Sequence, residues 1–197
     1  LAKVLLGLTY FDMGDYDKAM EIYTLTLTQA TELGDKDGIA SSLMYIGGLF
    51  INRGEFDKAI DYVNRSLNIQ KKLGDKFNMA MSLNVLGSAY HYKHDYEKCL
   101  NYHERALVIQ KQLDEKREMG STLGNIGGIF IDKGDYDNAL GYMERALAID
   151  EELGDKEGIG QRLEGIGVVY WKKGVYDKSN DYQKRSFAIK EELGNKH

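Results

Sequence analysis

Displaced against itself by 40 residues, the 197-residue chain aligns from end to end without a gap. Leu33, Leu73, Leu113, Leu153 and Leu193 fall in one column, and Gly7, Gly47, Gly87, Gly127 and Gly167 in another. Tyr16, Phe56, Tyr96, Tyr136 and Tyr176 make an aromatic column, and Ala19, Ala59, Cys99, Ala139 and Ser179 a small one. A fixed period of about 20 to 50 residues marks repeats that bury their apolar faces against their neighbours. The chain is therefore expected to be a solenoid with repeats 1–34, 35–74, 75–114, 115–154 and 155–194.

Each repeat holds two stretches of helical spacing. The first runs over about 35–52, with Ile39, Leu43, Ile46 and Phe50 three to four residues apart. The second runs from Glu55 to about Leu73 and carries Phe56, Ala59, Ile60, Tyr62, Val63, Leu67 and Ile69. The chain has 22 glycines and no proline, so glycine must set the helix ends. Gly-Asp pairs stand at the junctions, as in Gly14-Asp15, Gly34-Asp35, Gly74-Asp75, Gly134-Asp135 and Gly154-Asp155. Glycine closes one helix in the left-handed conformation and aspartate caps the next. His94 and Asp114 replace the junction glycine in two places. Both residue types tolerate positive φ, so both are expected to be left-handed, with a slightly different turn as the alternative.

Composition removes several function classes. Hydrophobic residues make up 43% of the chain, enough for a sizeable core. One cysteine leaves no disulfide framework and fits a reducing, cytoplasmic setting. No run approaches the length of a membrane span, and no signal-peptide pattern opens the chain. A net charge of −5 argues against nucleic acid as a partner.

The stretch Leu43-x-x-Ile46-Gly47-x-x-Phe50, followed by Gly54, Phe56, Ala59, Val63 and Ser66, resembles the tetratricopeptide repeat. Leu123, Ile126-Gly127, Phe130, Gly134, Tyr136, Ala139 and Ala146 repeat the pattern. Its Trp position is Leu in four repeats and Lys3 in the first, and its terminal Pro is replaced by Lys71, Lys111, Glu151 and Glu191. The 40-residue period, the Gly-Asp-Lys junctions and the run from Tyr102 to Leu107 are similar to the LGN/Pins adaptors and to bacterial and archaeal signalling arrays. The resemblance implies an all-α, right-handed superhelix of stacked antiparallel hairpins whose first helices line a concave groove. It also implies a non-catalytic module that binds a protein or peptide.

Leu1 falls inside a first helix, and the face of Leu1, Val4, Leu5 and Leu8 is apolar; His197 stops where another repeat would begin. Solenoid ends carry polar caps. An excised piece of a longer array is the expectation, with pairing of uncapped ends in self-association as the alternative.

Chemistry has few places to reside. The four histidines, His91, His94, His103 and His197, show no zinc-ligand spacing with Cys99. His91 and His94 read as a groove and a turn histidine, and Cys99 as a packing residue of the small column. Gly124-x-x-Gly127-Gly128 lies in a helix rather than after a strand, a poor match to a phosphate loop. No catalytic residue, metal or cofactor is expected. Lys71-Lys72 and Glu151-Glu152 read as solvated surface. Arg65, Arg105, Arg145 and Arg185 read as inter-repeat packing and solvation, with Asp61 and Asp181 one turn before two of them. Tyr62, Tyr102, Tyr142 and Tyr182 read as core.

The remaining first-helix positions form the candidate groove. They are Val4, Leu5, Leu8, Phe11 and Asp12 in the first repeat, then Met44, Tyr45, Gly48, Ile51 and Asn52. Asn84, Val85, Ser88, His91 and Tyr92 follow, then Gly124, Asn125, Gly128, Ile131 and Asp132. The fifth repeat supplies Glu164, Gly165, Val168, Trp171 and Lys172. These columns vary where the packing columns repeat, and their aromatic residues are favoured interface anchors. The resemblance implies that Asn84 and Asn125 hold a ligand backbone, although Tyr45, Val85 and Gly165 occupy the column of Asn125. Gly48, Gly124, Gly128 and Gly165 each cost about 1 kcal/mol in a helix relative to alanine. They strip the groove of side chains or loosen the superhelix, and that cost alone fits both. The expected function is protein or peptide recognition within a signalling or adaptor protein. Self-association and ligand sensing by a regulatory domain are the alternatives, with no nucleic acid and no membrane.

Overall fold

The structure is a computed structural model that describes residues 2–194, with the side chains of residues 5–194. Leu1, His197 and the side chains of Lys3 and Val4, all invoked above, lie outside the described residues. Ten α-helices and no strand occur among the described residues: α1 (Ala2–Asp12), α2 (Tyr16–Leu33), α3 (Lys36–Asn52), α4 (Phe56–Leu73), α5 (Lys76–Tyr92), α6 (Tyr96–Leu113), α7 (Lys116–Asp132), α8 (Tyr136–Leu153), α9 (Lys156–Lys172) and α10 (Tyr176–Gly194). Helix bounds match the expected stretches to within one residue. The chain divides into two compact units, one up to Ile109 and one from Gln110, with the division inside α6.

The junctions work as their residue types require. Gly74 takes φ 71°, and the Asp75 amide donates to the Gln70 carbonyl at 3.1 Å, closing α4. Asp75 then accepts from the Asn78 amide at 3.1 Å, capping α5. Asp15, Asp35, Asp95, Asp135 and Asp155 cap in the same way, each accepting from the amide three residues on. His94 and Asp114 stand at φ 57° and 56°, left-handed as expected.

In the first unit, Val63 and Leu67 of α4 pack with Ala80, Leu83 and Leu86 of α5 and Ala106 of α6. Ala19 and Tyr23 of α2 pack with Ile46 and Leu49 of α3. In the second unit, Leu123, Ile126 and Ile129 of α7, Ala139 and Ala146 of α8, and Leu163, Ile166 and Val169 of α9 are buried. Burying each such Leu or Ile contributes roughly 1.5 to 3 kcal/mol. Small residues at column 19 let helices meet: Ala19, Ala59, Cys99 and Ala139 are fully buried, and the Ser179 hydroxyl donates to the Gly167 carbonyl at 2.8 Å.

The tyrosine column is half-buried rather than interior. Its rings lie beside an aromatic near the end of the preceding helix, as in Phe50–Tyr62 and Tyr90–Tyr102, at 5.3 and 5.4 Å. The arginine column does not serve inter-repeat packing in the way expected. Each guanidinium covers the tyrosine three residues earlier on its own helix, at 5.1 Å for Arg65–Tyr62 and 5.2 Å for Arg105–Tyr102. Asp61 and Asp181 do pair with Arg65 and Arg185, at 3.7 and 3.9 Å.

Candidate functional site

Helical spacing puts the first-helix candidates on the side not used by the packing residues, and the structure sorts them. In the first unit, Asp12 and Asn52 are exposed, and Leu8, Phe11, Gly48, Ile51, Ser88 and His91 are half-buried. Tyr92 is 57% exposed, with its ring parallel to Phe56 at 5.5 Å. Tyr45 is half-buried and stacks on Tyr23 at 5.0 Å. Asn84 is half-buried, its Oδ1 2.9 Å from His103 Nδ1. In the second unit, Asn125, Asp132, Glu164 and Lys172 are exposed, Gly128, Ile131 and Val168 are half-buried, and Trp171 is 61% exposed. Glu164 accepts from Lys190 Nζ at 2.8 Å.

Three candidates need correction. Met44 is 2% exposed and belongs to the core. It precedes Gly47 by three positions and so shares that glycine's side of α3, where an unbranched apolar chain packs inward. Gly124 does not open the groove, because a Cβ there would lie 2.2 Å from Arg162 Nη1. Gly165 likewise faces the Met143 thioether, 3.1 Å from where its Cβ would be. At Gly48 and Gly128 a Cβ would meet nothing within 4 Å.

Two groups of residues escaped the sequence reading. One is the second-helix column Tyr23, Val63, His103, Met143 and Gln183, which faces the glycine column. A Cβ at Gly7, Gly47, Gly87, Gly127 or Gly167 would come within 3.0 Å of the side chain opposite it. These side chains fill the glycine gaps, and three of them touch groove candidates: Tyr23 meets Tyr45, His103 meets Asn84, and Gln183 Nε2 donates to the Glu164 carbonyl at 3.4 Å. Their signal was present, since five different residue types stand opposite one repeated glycine.

The second group is an ion pair inside the second unit. Arg162 Nε donates to Asp150 Oδ2 at 3.1 Å, with the two side chains 12% and 3% exposed. A Cβ at Gly120 or Gly158 would lie 2.7 Å from the Asp150 carboxyl, so these glycines and Gly124 make room for the pair. Arg117 bonds Asp155 beside it, and a cleft of about 220 Å³ opens between α7 and α9. Burial raises the Asp150 carboxyl, opposed by the Arg162 charge.

Burial shifts the titration of several interior groups. Burial pushes the Cys99 thiol up to about 12, which leaves it protonated and inert. Burial pushes His103 down to about 4, with the nearby His91 charge adding to the effect. Burial also raises the Tyr45 and Tyr23 phenols. Among the described residues, no three His, Cys, Asp or Glu side chains are grouped to hold a metal ion. No helix among them is long and apolar enough to cross a membrane.

The tetratricopeptide repeat model matches residues 1–72, 38–112 and 118–192. No match is found among curated proteins. Of solved structures, BtubC (BKLC) from P. vanneervenii is similar with a TM-score of 0.81 at 25% identity, over 99% of this chain and 81% of that one. A Rap protein complexed with competence and sporulation factor gives 0.86 at 21% identity, over 95% of this chain and 52% of that one. MamA gives 0.64 at 20% identity, over 96% of both chains. The chain thus spans about half the length of the Rap protein.

Proposed function

Because the chain belongs to the tetratricopeptide repeat family, a family of protein-interaction scaffolds, we propose that it binds a protein or peptide segment on the concave, first-helix faces of its units, without catalysis, as part of a signalling or adaptor protein. The observation that carries this reading is the exposure of Trp171 and Tyr92 on those faces, while the packing columns around them are closed. Large aromatic residues are costly to leave in water and are frequent anchors of interfaces. Ile131 and Val168 accompany Trp171 as half-buried apolar neighbours on the same faces, and exposed Asn125, Asp132 and Lys172 supply a polar rim. The Rap structure with its bound factor lends a precedent for the fold in a complex.

Selection from a displayed random-peptide library tests the proposal. Enriched peptides should bind Trp171→Ala or Tyr92→Ala at least about tenfold more weakly, since anchor residues contribute about 2 kcal/mol or more. The melting temperature should stay within a degree or so, as befits exposed side chains. An array that enriches nothing, or variants that bind as well as the parent, would sink the reading.

A further inference from the structure

His103 belongs to a second helix and is 1% exposed, yet its Nδ1 lies 2.9 Å from Oδ1 of Asn84, a first-helix groove candidate. We propose that His103 is a positioning residue for the groove of the first unit, fixing the Asn84 carboxamide through its ring Nδ1–H. The inference rests on the peptide-binding reading above and adds a residue that no first-helix face contains.

The geometry leaves little choice of arrangement. A carboxamide oxygen only accepts, so the ring nitrogen facing it is the donor, and the neutral ring then keeps its lone pair on Nε2. Burial keeps the ring neutral near pH 7, and electrostatic repulsion between His91 and His103 acts in the same direction. The ring cannot slide away, because Nε2 sits against Gly87, where a Cβ would be only 2.6 Å from it. Gly87 admits the imidazole, the imidazole holds the Asn84 oxygen inward, and the nitrogen end of the carboxamide is directed away from the ring. A side chain held in one orientation loses less freedom when a ligand engages it. The specificity of this part of the groove is thereby set from the second helix.

The test uses the whole chain with His103→Leu, which removes the donor at similar size, and His103→Asn, whose Nδ2–H stands near the position of the ring Nδ1–H. Nitrogen NMR should show the Nδ1–H tautomer in the parent. The Asn84 side-chain NH2 resonances, identified by their loss in Asn84→Asp, should move in His103→Leu and return toward the parent in His103→Asn. Peptides enriched by the parent from a displayed random library should bind His103→Leu about three- to tenfold more weakly and His103→Asn within about twofold. An Nε2–H tautomer, or Asn84 resonances indifferent to the substitutions, overturns the inference. So does equal peptide binding by parent and His103→Leu, which leaves the peptide-binding reading intact. If the parent enriches no peptide, that reading fails and the groove role of His103 fails with it.

Discussion

Gly47 and Gly48 are neighbours on α3, and alanine at each should shift stability in opposite directions. A Cβ on Gly47 would lie 2.3 Å from Val63 Cγ2 and 3.2 Å from the Ala59 carbonyl oxygen. Carbon atoms in ordinary contact stand about 3.5–4.0 Å apart, so more than an ångström must be found. Val63 is fully buried and β-branched, with one strongly preferred rotamer in a helix, and the carbonyl belongs to the α4 backbone. The two helices must therefore part. Overpacking of this kind costs about 3 kcal/mol at the upper end of its usual range, and the helix propensity of alanine returns about 1 kcal/mol. The net expectation for Gly47→Ala is a loss of about 2 kcal/mol. Gly48 has nothing within 4 Å of a Cβ, so Gly48→Ala should keep the whole propensity gain of about 1 kcal/mol. The gap of about 3 kcal/mol corresponds to roughly 6–12 °C between the two melting temperatures for a chain of this size. Far-UV circular dichroism melts of both variants beside the parent measure it. A destabilised Gly48→Ala, or equal shifts in the two variants, would refute the division of α3 into a closed crossing side and an open side.

Other outcomes follow from the buried groups. His103 titrates at about 4 in the fold against about 6.5 when unfolded, so the unfolded chain binds the extra proton between those values. Stability should be complete above pH 6.5 and fall by up to about 3 kcal/mol as pH drops toward 4, a slope that urea midpoints should find absent in His103→Leu. Asp150→Ala strands the Arg162 guanidinium and should cost about 3 kcal/mol in urea unfolding, while Asp150→Leu combined with Arg162→Leu should recover most of it. Cys99, with its thiol pushed up to about 12, should resist aromatic disulfide reagents in the native state and react promptly in denaturant.

The 40-residue period, the Gly-Asp junctions and the absence of proline were enough to derive ten helices with their ends, because capping and helix-stop chemistry act over three or four residues of one chain. The left-handed His94 and Asp114 were legible for the same reason. On the candidate face, the period separated Tyr92 and Trp171 from the packing columns, since one-sided burial writes a helical spacing into the sequence. It could not say what lies across a helix crossing. Met44 is buried while Asn84, in the same column, stays half-buried with its oxygen turned to His103, and the choice depends on the side chain each finds opposite. Gly124 read as an opening because a missing side chain looks the same in sequence whether solvent or Arg162 takes its place. Local hydrogen bonds and one-helix periodicity are properties of the chain. The ion pair of Asp150 with Arg162 and the reach of His103 to Asn84 are properties of packing, where residues far apart in sequence compete for one volume.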